Sequence, residues 1–196
     1  MKRIFDIVLA TLGSVALFPI LIGLAILIFC KMGPPVIFSQ FRPGLNGKPF
    51  RIFKFRTMLE RFNNEGNRLP DEERLTSLGR FLRKNSLDEL PGLWNVIKGE
   101  MSLVGPRPLL VEYLSLYTPE QARRHEVRPG ITGWTQIHGH PGITWEEKFE
   151  LDVWYVDNRS LWIDIKILCT TMLKILKRQM ISEEGQTALP KFKGSG

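Results

Sequence analysis

The longest apolar stretch opens the chain. Ile7 to Cys30 carries no charged residue, with Lys2 and Arg3 before it and Lys31 after it. A membrane-spanning helix needs roughly 20 apolar residues, so the run is long enough to span. A secretory signal fits less well, because the run is too long and no small-residue cleavage site closes it. Pro19 lies near the middle. It removes a backbone donor and clashes with the preceding turn, which kinks a helix. Lys and Arg beside a membrane segment favour the cytoplasmic side, and here they flank both ends. Two topologies are open: a helix that enters and leaves through one leaflet, and a spanning helix with a proline kink. In the first, Ser14 is close enough in sequence to satisfy a carbonyl that Pro19 frees.

The pattern after the run is mixed. Val36 to Gln40 and Phe50 to Phe55 read as short strands. The Asn46-Gly47 pair between them suits a tight turn with positive φ, so a hairpin is expected. Alternation places Lys54 and Arg56 on one face of the second strand. Glu60 to Arg68 is polar and reads as a surface loop. Pro70 can open a helix in which Leu75, Leu78, Phe81 and Leu82 recur at helical spacing. A short helix is expected around Leu93 to Ile97, a rigid turn at Gly105-Pro106-Arg107-Pro108, and another helix from Pro119 to Glu126. Leu161 to Met180 mixes apolar positions with Lys166, Lys174, Lys177 and Arg178. Such a basic amphipathic helix either lies in a membrane interface or packs on a core with a solvated basic face. Gly185 to Gly196 reads as a flexible tail.

Composition narrows the class. With 196 residues the chain has room for one domain plus an anchor. The net charge of +7 implies nucleic acid, anionic lipid or a phosphorylated substrate as partner. No zinc-finger spacing or RNA-binding aromatic signature accompanies the charge, so nucleic acid is not expected. Nothing in the pattern fixes an oligomeric state. Cys30 and Cys169 lie in apolar stretches without metal-ligand spacing and read as small buried hydrophobes. His125, His138 and His140 make no convincing metal site.

The candidate chemistry lies in Ser86-Leu87-Asp88-Glu89-Leu90-Pro91. Adjacent carboxylates disfavour joint ionisation, and a divalent cation relieves that cost. Magnesium commonly bridges a carboxylate and substrate phosphates. A carboxylate can also attack phosphorus and split one hard transfer into two easier ones. A structural reading competes. Ser-x-x-Glu is a capping-box pattern, and Asp88 can itself be an N-cap with Pro91 in the first turn. The two readings are compatible, because a helix N-terminus stabilises a carboxylate and attracts phosphate. Arg107 stands between prolines and Arg128 precedes Pro-Gly, so both guanidiniums start from stiff loops and suit phosphate oxygens.

Several motifs occur in a fixed order: Phe41-Arg42-Pro43-Gly44, Phe53 to Met58, Ser86 to Pro91, Leu93-Trp94-Asn95-Val96, Lys98 to Ser102, Val104 to Pro108, and Val127 to Gly133. Together they resemble the monotopic phosphoglycosyl transferases, the bacterial sugar transferase family, from Lys2 to about Lys193. The short length, Leu109 to Leu114 and the tail around Ser182 to Gly185 are most similar to the small PglC-type members, which carry no extra transmembrane bundle.

The resemblance implies an α+β fold, mostly helical, with a small β-hairpin and interfacial amphipathic helices. Residues 1–31 would be a re-entrant membrane helix. Residues 32–196 would form a catalytic domain, with a flexible C-terminal tail, on the cytoplasmic face of a bacterial inner membrane. The implied reaction moves a sugar-1-phosphate from a UDP-sugar, expected to be an N-acetylated amino sugar, to undecaprenyl phosphate, with UMP released. This would be the first membrane step of glycoconjugate assembly. It implies Asp88 as nucleophile, Glu89 in metal binding or proton handling, and Mg2+ on Asp88 and Glu89. Lys54, Arg56, Arg107 and Arg128 are the candidate phosphate contacts. Substrates and membrane lipids are the implied partners. Two positions depart from the pattern: Phe18 stands where Ser commonly precedes the anchor proline, and Gly139-His140-Pro141-Gly142 replaces an expected Gly-Arg-Asn-Ala.

Overall fold

Two helices replace the single kinked one. In the computed structural model, which describes residues 1–140, 142–177 and 190–194, α1 (Lys2–Ala16) and α2 (Phe18–Met32) meet at Leu17 with a bend of 61°. Pro19 sits in the first turn of α2, where its missing N–H has no partner to lose. The proline therefore starts a helix here. Ser14 donates to the Ala10 carbonyl one turn back, at 2.7 Å. Among the described residues no single helix is long and apolar enough to cross a membrane, although the bent pair passes by length and composition.

Both helices are tied into the rest of the molecule. On α1, Asp6 and Ala10 are buried while Ile4, Val8, Leu12 and Val15 are exposed. Asp6 accepts from Ser102 Oγ at 2.9 Å and from the Leu103 amide at 3.2 Å. Lys2 Nζ pairs with Asp164 at 2.6 Å, and Arg3 donates to the carbonyls of Val96 and Ile97 at 2.6 and 2.9 Å. At the other end of the pair, Ile28 and Met32 of α2 pack with Phe55 and Leu82. Arg56 donates to the carbonyls of Met32, Gly33 and Pro34. Cys30 and Cys169 are exposed, unlike the buried placement expected. They lie on helices whose outer faces expose Ile26, Phe29, Met172 and Leu173.

The hairpin is present. β1 (Ile37–Pro43) and β2 (Pro49–Phe55) pair antiparallel from Ile37 opposite Phe55 to Pro43 opposite Pro49. Asn46 at φ 55° and Gly47 at φ 71° make the turn. The helix expected after Pro70 is broken into α3 (Asp71–Arg74) and α4 (Ser77–Lys84). Leu75 bridges Met58 instead, and Thr76 caps α4 by accepting from the Gly79 amide at 2.9 Å. A Cβ on Gly79 would lie 1.9 Å from the Thr57 carbonyl oxygen, so α4 can dock only with glycine there.

Next come α5 (Gly92–Lys98) and a second, parallel pairing of β3 (Ser102–Val104) with β4 (Gly130–Thr132). The sequence pattern did not reveal this pair, because three-residue strands show no alternation. α6 (Pro119–Ala122) runs into a 3-10 turn to Glu126. Capping boxes are found at Thr118 with Gln121 and at Thr144 with Glu147. The chain continues through α7 (Trp134–His138), α8 (Trp145–Asn158) and α9 (Leu161–Leu176). The expected extension of α9 to Met180, including Arg178, lies outside the described residues, as does Pro141. Lys174 donates to the Ile137 carbonyl at 2.7 Å and so caps α7. Of the tail, residues 190–194 are described, and Phe192 is buried against Tyr113, Tyr117, Trp145 and Phe149. The main core joins Ala10, Phe50, Val96, Met101, Val104 and Tyr155, so α1, β2, α5, β3 and α8 share one interior.

Candidate active site

Asp88 and Glu89 lie in a single 3-10 turn, Leu87–Glu89, between α4 and α5. Neither expected cap forms. Ser86 makes no capping hydrogen bond, and α5 begins after Pro91. Ser86 instead adopts a left-handed conformation at φ 54°, which a residue with a Cβ rarely takes and which costs of order 1–3 kcal/mol. Surrounding packing holds this turn in place. Asn95, fully buried, joins α5 to β2 through its side chain. Its Nδ2 donates to the Arg51 carbonyl at 2.8 Å and to Glu100 at 2.7 Å, and its Oδ1 accepts from the Phe53 amide at 3.1 Å. These bonds set the register of β2 against the turn and so bring Lys54 to Glu89.

Glu89 is the centre of the charged cluster. Its Oε1 receives Lys54 Nζ at 3.0 Å and Arg107 Nη2 at 2.9 Å, with all three side chains about 15% exposed. Two cations meet on one carboxylate oxygen, with the Asp88 carboxylate one residue away. Arg107 is positioned from behind. Its carbonyl accepts from Arg124 Nη2 at 2.8 Å. Arg124 also bonds Asp152 Oδ2 through Nε at 3.0 Å and Nη2 at 2.6 Å. Asp152 Oδ1 accepts from Thr135 Oγ1 at 2.7 Å. Burial alone would push the Arg124 guanidinium down, but Asp152 and Tyr117 beside it raise it above the ordinary value. Burial raises the Tyr117 and Tyr155 hydroxyls; Tyr155 is also held by its hydrogen bond to Asp164. Burial, with Arg124 next, lowers the adjacent His125 to about 4.

A cavity of about 540 Å³ opens at this cluster, within the range of small-molecule sites. Its lining includes Arg42, Lys54, Arg107, Lys148 and Lys191, with Glu89 as the one acidic side chain among the described lining residues. Met101, Leu109, Tyr113, Ile131 and Trp145 add apolar wall. Such a cavity suits a polyanion attached to a flat or ring-shaped group.

The residues anticipated from sequence divide three ways. Lys54, Glu89 and Arg107 meet at the cavity. Asp88 is 3% exposed and is not part of the lining, although its neighbour is. Arg56 and Arg128 are elsewhere: Arg56 holds the end of α2, and Arg128 Nε donates to the Gly99 carbonyl at 2.8 Å. Arg56 follows the last residue of β2, so the alternation that placed it beside Lys54 has ended. Among the described residues no three His, Cys, Asp or Glu side chains cluster as a metal cage. The donor set at the turn is two carboxylates, which fits Mg2+, an ion commonly bound by one or two carboxylates and completed by substrate phosphates.

Sequence reasoning missed Asp6, Arg124, Asp152, Lys148 and Lys191. Asp6 carried a signal, being a lone acid one turn into an apolar helix. The others look like ordinary surface charges until the fold buries or gathers them. His140, at one of the departures from the family pattern, lines the cavity.

The model of the bacterial sugar transferase family matches residues 1–178. The chain belongs to this family. It is 54% identical over 196 residues to a Bacillus subtilis protein named uncharacterized sugar transferase EpsL, covering all of this chain and 97% of that one. It is 42% identical over 184 residues to the UDP-glucose:undecaprenyl-phosphate glucose-1-phosphate transferase of Escherichia coli, covering 89% of this chain and 40% of the relative. A Caulobacter vibrioides protein of the same printed name is 40% identical over 190 residues, covering 89% of this chain and 69% of the relative. This family member thus spans well under half of the E. coli protein and nearly all of the B. subtilis one.

Proposed function

We propose that this sugar transferase moves a sugar-1-phosphate from a UDP-sugar to undecaprenyl phosphate, releasing UMP. The observation that carries the reading is the basic cavity in which Lys54 and Arg107 converge on Glu89, one residue from Asp88. The family membership and the names of the relatives support it. In this scheme a carboxylate oxygen of Asp88 attacks the β-phosphorus of the donor. The bond from that phosphorus to the bridging oxygen breaks, and UMP leaves with the oxygen. An oxygen of undecaprenyl phosphate then attacks the Asp88 phosphosugar, giving undecaprenyl diphosphosugar and freeing Asp88. Lys54 and Arg107 orient the diphosphate and offset charge developing on its oxygens. Burial of Asp88 would shield the acyl phosphate from water. Glu89 holds the two cations in register and takes part in metal or proton handling. Mg2+ would be held by Asp88 and Glu89 and would supply further positive charge to the phosphates.

The same reading places the chain on the cytoplasmic face of a bacterial inner membrane, anchored by a re-entrant α1–α2 pair. In this reading Lys2 and Arg3 at one end and Met32 to Pro34 at the other, all bonded to the rest of the molecule, would lie on one side of the membrane. Each 15-residue helix is about 22 Å long, and a bend of 61° puts Leu17 about 11 Å below the line joining the ends. That depth is about a third of the hydrocarbon core. The exposed apolar faces of α1, α2 and α9 would be the lipid contact.

The test is intact-protein mass spectrometry after mixing with UDP-glucose, UDP-galactose and the UDP-N-acetylhexosamines, with UMP measured in parallel. The relatives' names put the hexoses first; the PglC-type motifs favour an N-acetylated amino sugar. A phosphosugar adduct should form before acceptor is added, and Asp88→Asn should abolish it. An equal adduct on Asp88→Asn would move the nucleophile elsewhere. Release of UDP in place of UMP would make the enzyme a glycosyltransferase that cleaves the sugar carbon–oxygen bond.

A further inference from the structure

The family match ends at residue 178, yet the cavity wall does not. Pro190 and Lys191 line it together with Tyr113, Trp145 and Lys148. This short segment is fixed by two hydrogen bonds and by aromatic packing. Trp145 Nε1 donates to the Pro190 carbonyl at 2.9 Å, and the Phe192 amide donates to the Tyr113 hydroxyl at 3.2 Å. Phe192 is 4% exposed, with its ring 5.1–5.9 Å from four other aromatic rings. Lys191, between two anchored residues, is exposed and on the cavity side. A lysine that served only solubility would not need anchors on both sides of it.

Building on the proposed transfer reaction, we infer that Lys191, pinned by Phe192 and Trp145, binds the UDP-sugar and belongs to the part of the cavity that selects the donor. The donor is favoured over the lipid acceptor for a structural reason. The aromatic cluster holding Phe192 contains no residue of α1 or α2, the helices expected to meet lipid. The ammonium offers three donors to hydroxyl or phosphate oxygens, and the Trp145 and Tyr113 rings give apolar surface beside it. The segment lies beyond residues 1–178, the span that the family model matches, and within the region aligned with the B. subtilis relative.

Two readouts test this independently. The first is acetylation of lysines in the intact protein, read by mass spectrometry with and without UDP-glucose and the other UDP-sugars. Lys191 should be protected by the donor and not by undecaprenyl phosphate, with exposed Lys177 as the unprotected control. The second is kinetics. Lys191→Ala should raise the donor KM about tenfold, the usual loss for a hydrogen bond from a charged group. Its kcat and acceptor KM should be unchanged, and Lys191→Arg should recover most of the loss. Lys191 is exposed, so its substitution leaves the fold intact. Phe192→Ala should raise the donor KM as well, with thermal unfolding measured alongside. Protection of Lys191 without UMP release would support this site and overturn the transfer reaction. UMP release with Lys191 unprotected and an unchanged donor KM in Lys191→Ala would keep the reaction and overturn this site. Equal protection by the lipid acceptor would also overturn it.

Discussion

Removing the Asp152 carboxylate should destabilise the protein more than almost any other single polar change. Arg124 is 2% exposed and Asp152 is 4% exposed, with two hydrogen bonds between them at 2.6 and 3.0 Å. In Asp152→Ala the guanidinium stays buried and charged, because its own proton cannot be shed at any working pH. Breaking such a pair from one side costs about 3–5 kcal/mol, since the remaining charge is uncompensated. For a chain of this size that corresponds to a fall in melting temperature of roughly 6–20 °C. Replacing both partners, as in Arg124→Met with Asp152→Leu, removes the stranded charge. It still takes the Arg124 donor from the Arg107 carbonyl and the Tyr117 hydroxyl, at about 1 kcal/mol each, while the Thr135 hydroxyl keeps the Lys148 carbonyl at 3.5 Å. The double variant should therefore be more stable than Asp152→Ala, yet less stable than the parent by about 2 kcal/mol. Thermal and urea unfolding of the detergent-solubilised proteins measures all three. The reasoning fails if Asp152→Ala lies within about 1 kcal/mol of the parent, or if the double variant is the least stable.

Three further outcomes are expected. Lys54→Ala should lower kcat/KM for the UDP-sugar by about 10²-fold with little change in unfolding. Arg56→Ala should do the reverse, losing about 2–3 kcal/mol through the carbonyls at the end of α2 with kcat/KM nearly intact; equal kinetic losses in both would put Arg56 in the site. His125, at about 4 when folded, lies below its ordinary 6.5, so the unfolded chain takes up its proton first. Its contribution is complete above pH 6.5 and is lost as pH falls toward 4, by about 3 kcal/mol. His125→Phe should flatten that part of the stability–pH curve, and a parallel curve would refute the assignment. Tags at Met1 and at Gly196 should both be reached only from the cytoplasm, whereas a periplasmic N-terminal tag would restore the spanning helix.

The sequence alone determined the elements whose causes are local. The hairpin follows from two apolar runs and Asn46-Gly47, and the apolar opening with Pro19 marks a broken helix. The ordered motifs carry the family resemblance without any tertiary contact. These signals depend on neighbours within a few residues, which is the range over which periodicity and turn chemistry act. The tertiary structure decided what depends on distant partners. Lys54 and Glu89 are 35 positions apart, Lys2 and Asp164 are 162 apart, and the Phe192 amide reaches Tyr113 across 79. Arg56 and Lys54 look equivalent in a strand pattern, yet the chain leaves the strand at Phe55 and sends Arg56 to the end of α2. Arg124 and Asp152 look like surface charges until α8 and the turn after α6 pack together and exclude water. Burial and charge pairing are properties of the packed whole, so no local pattern encodes them.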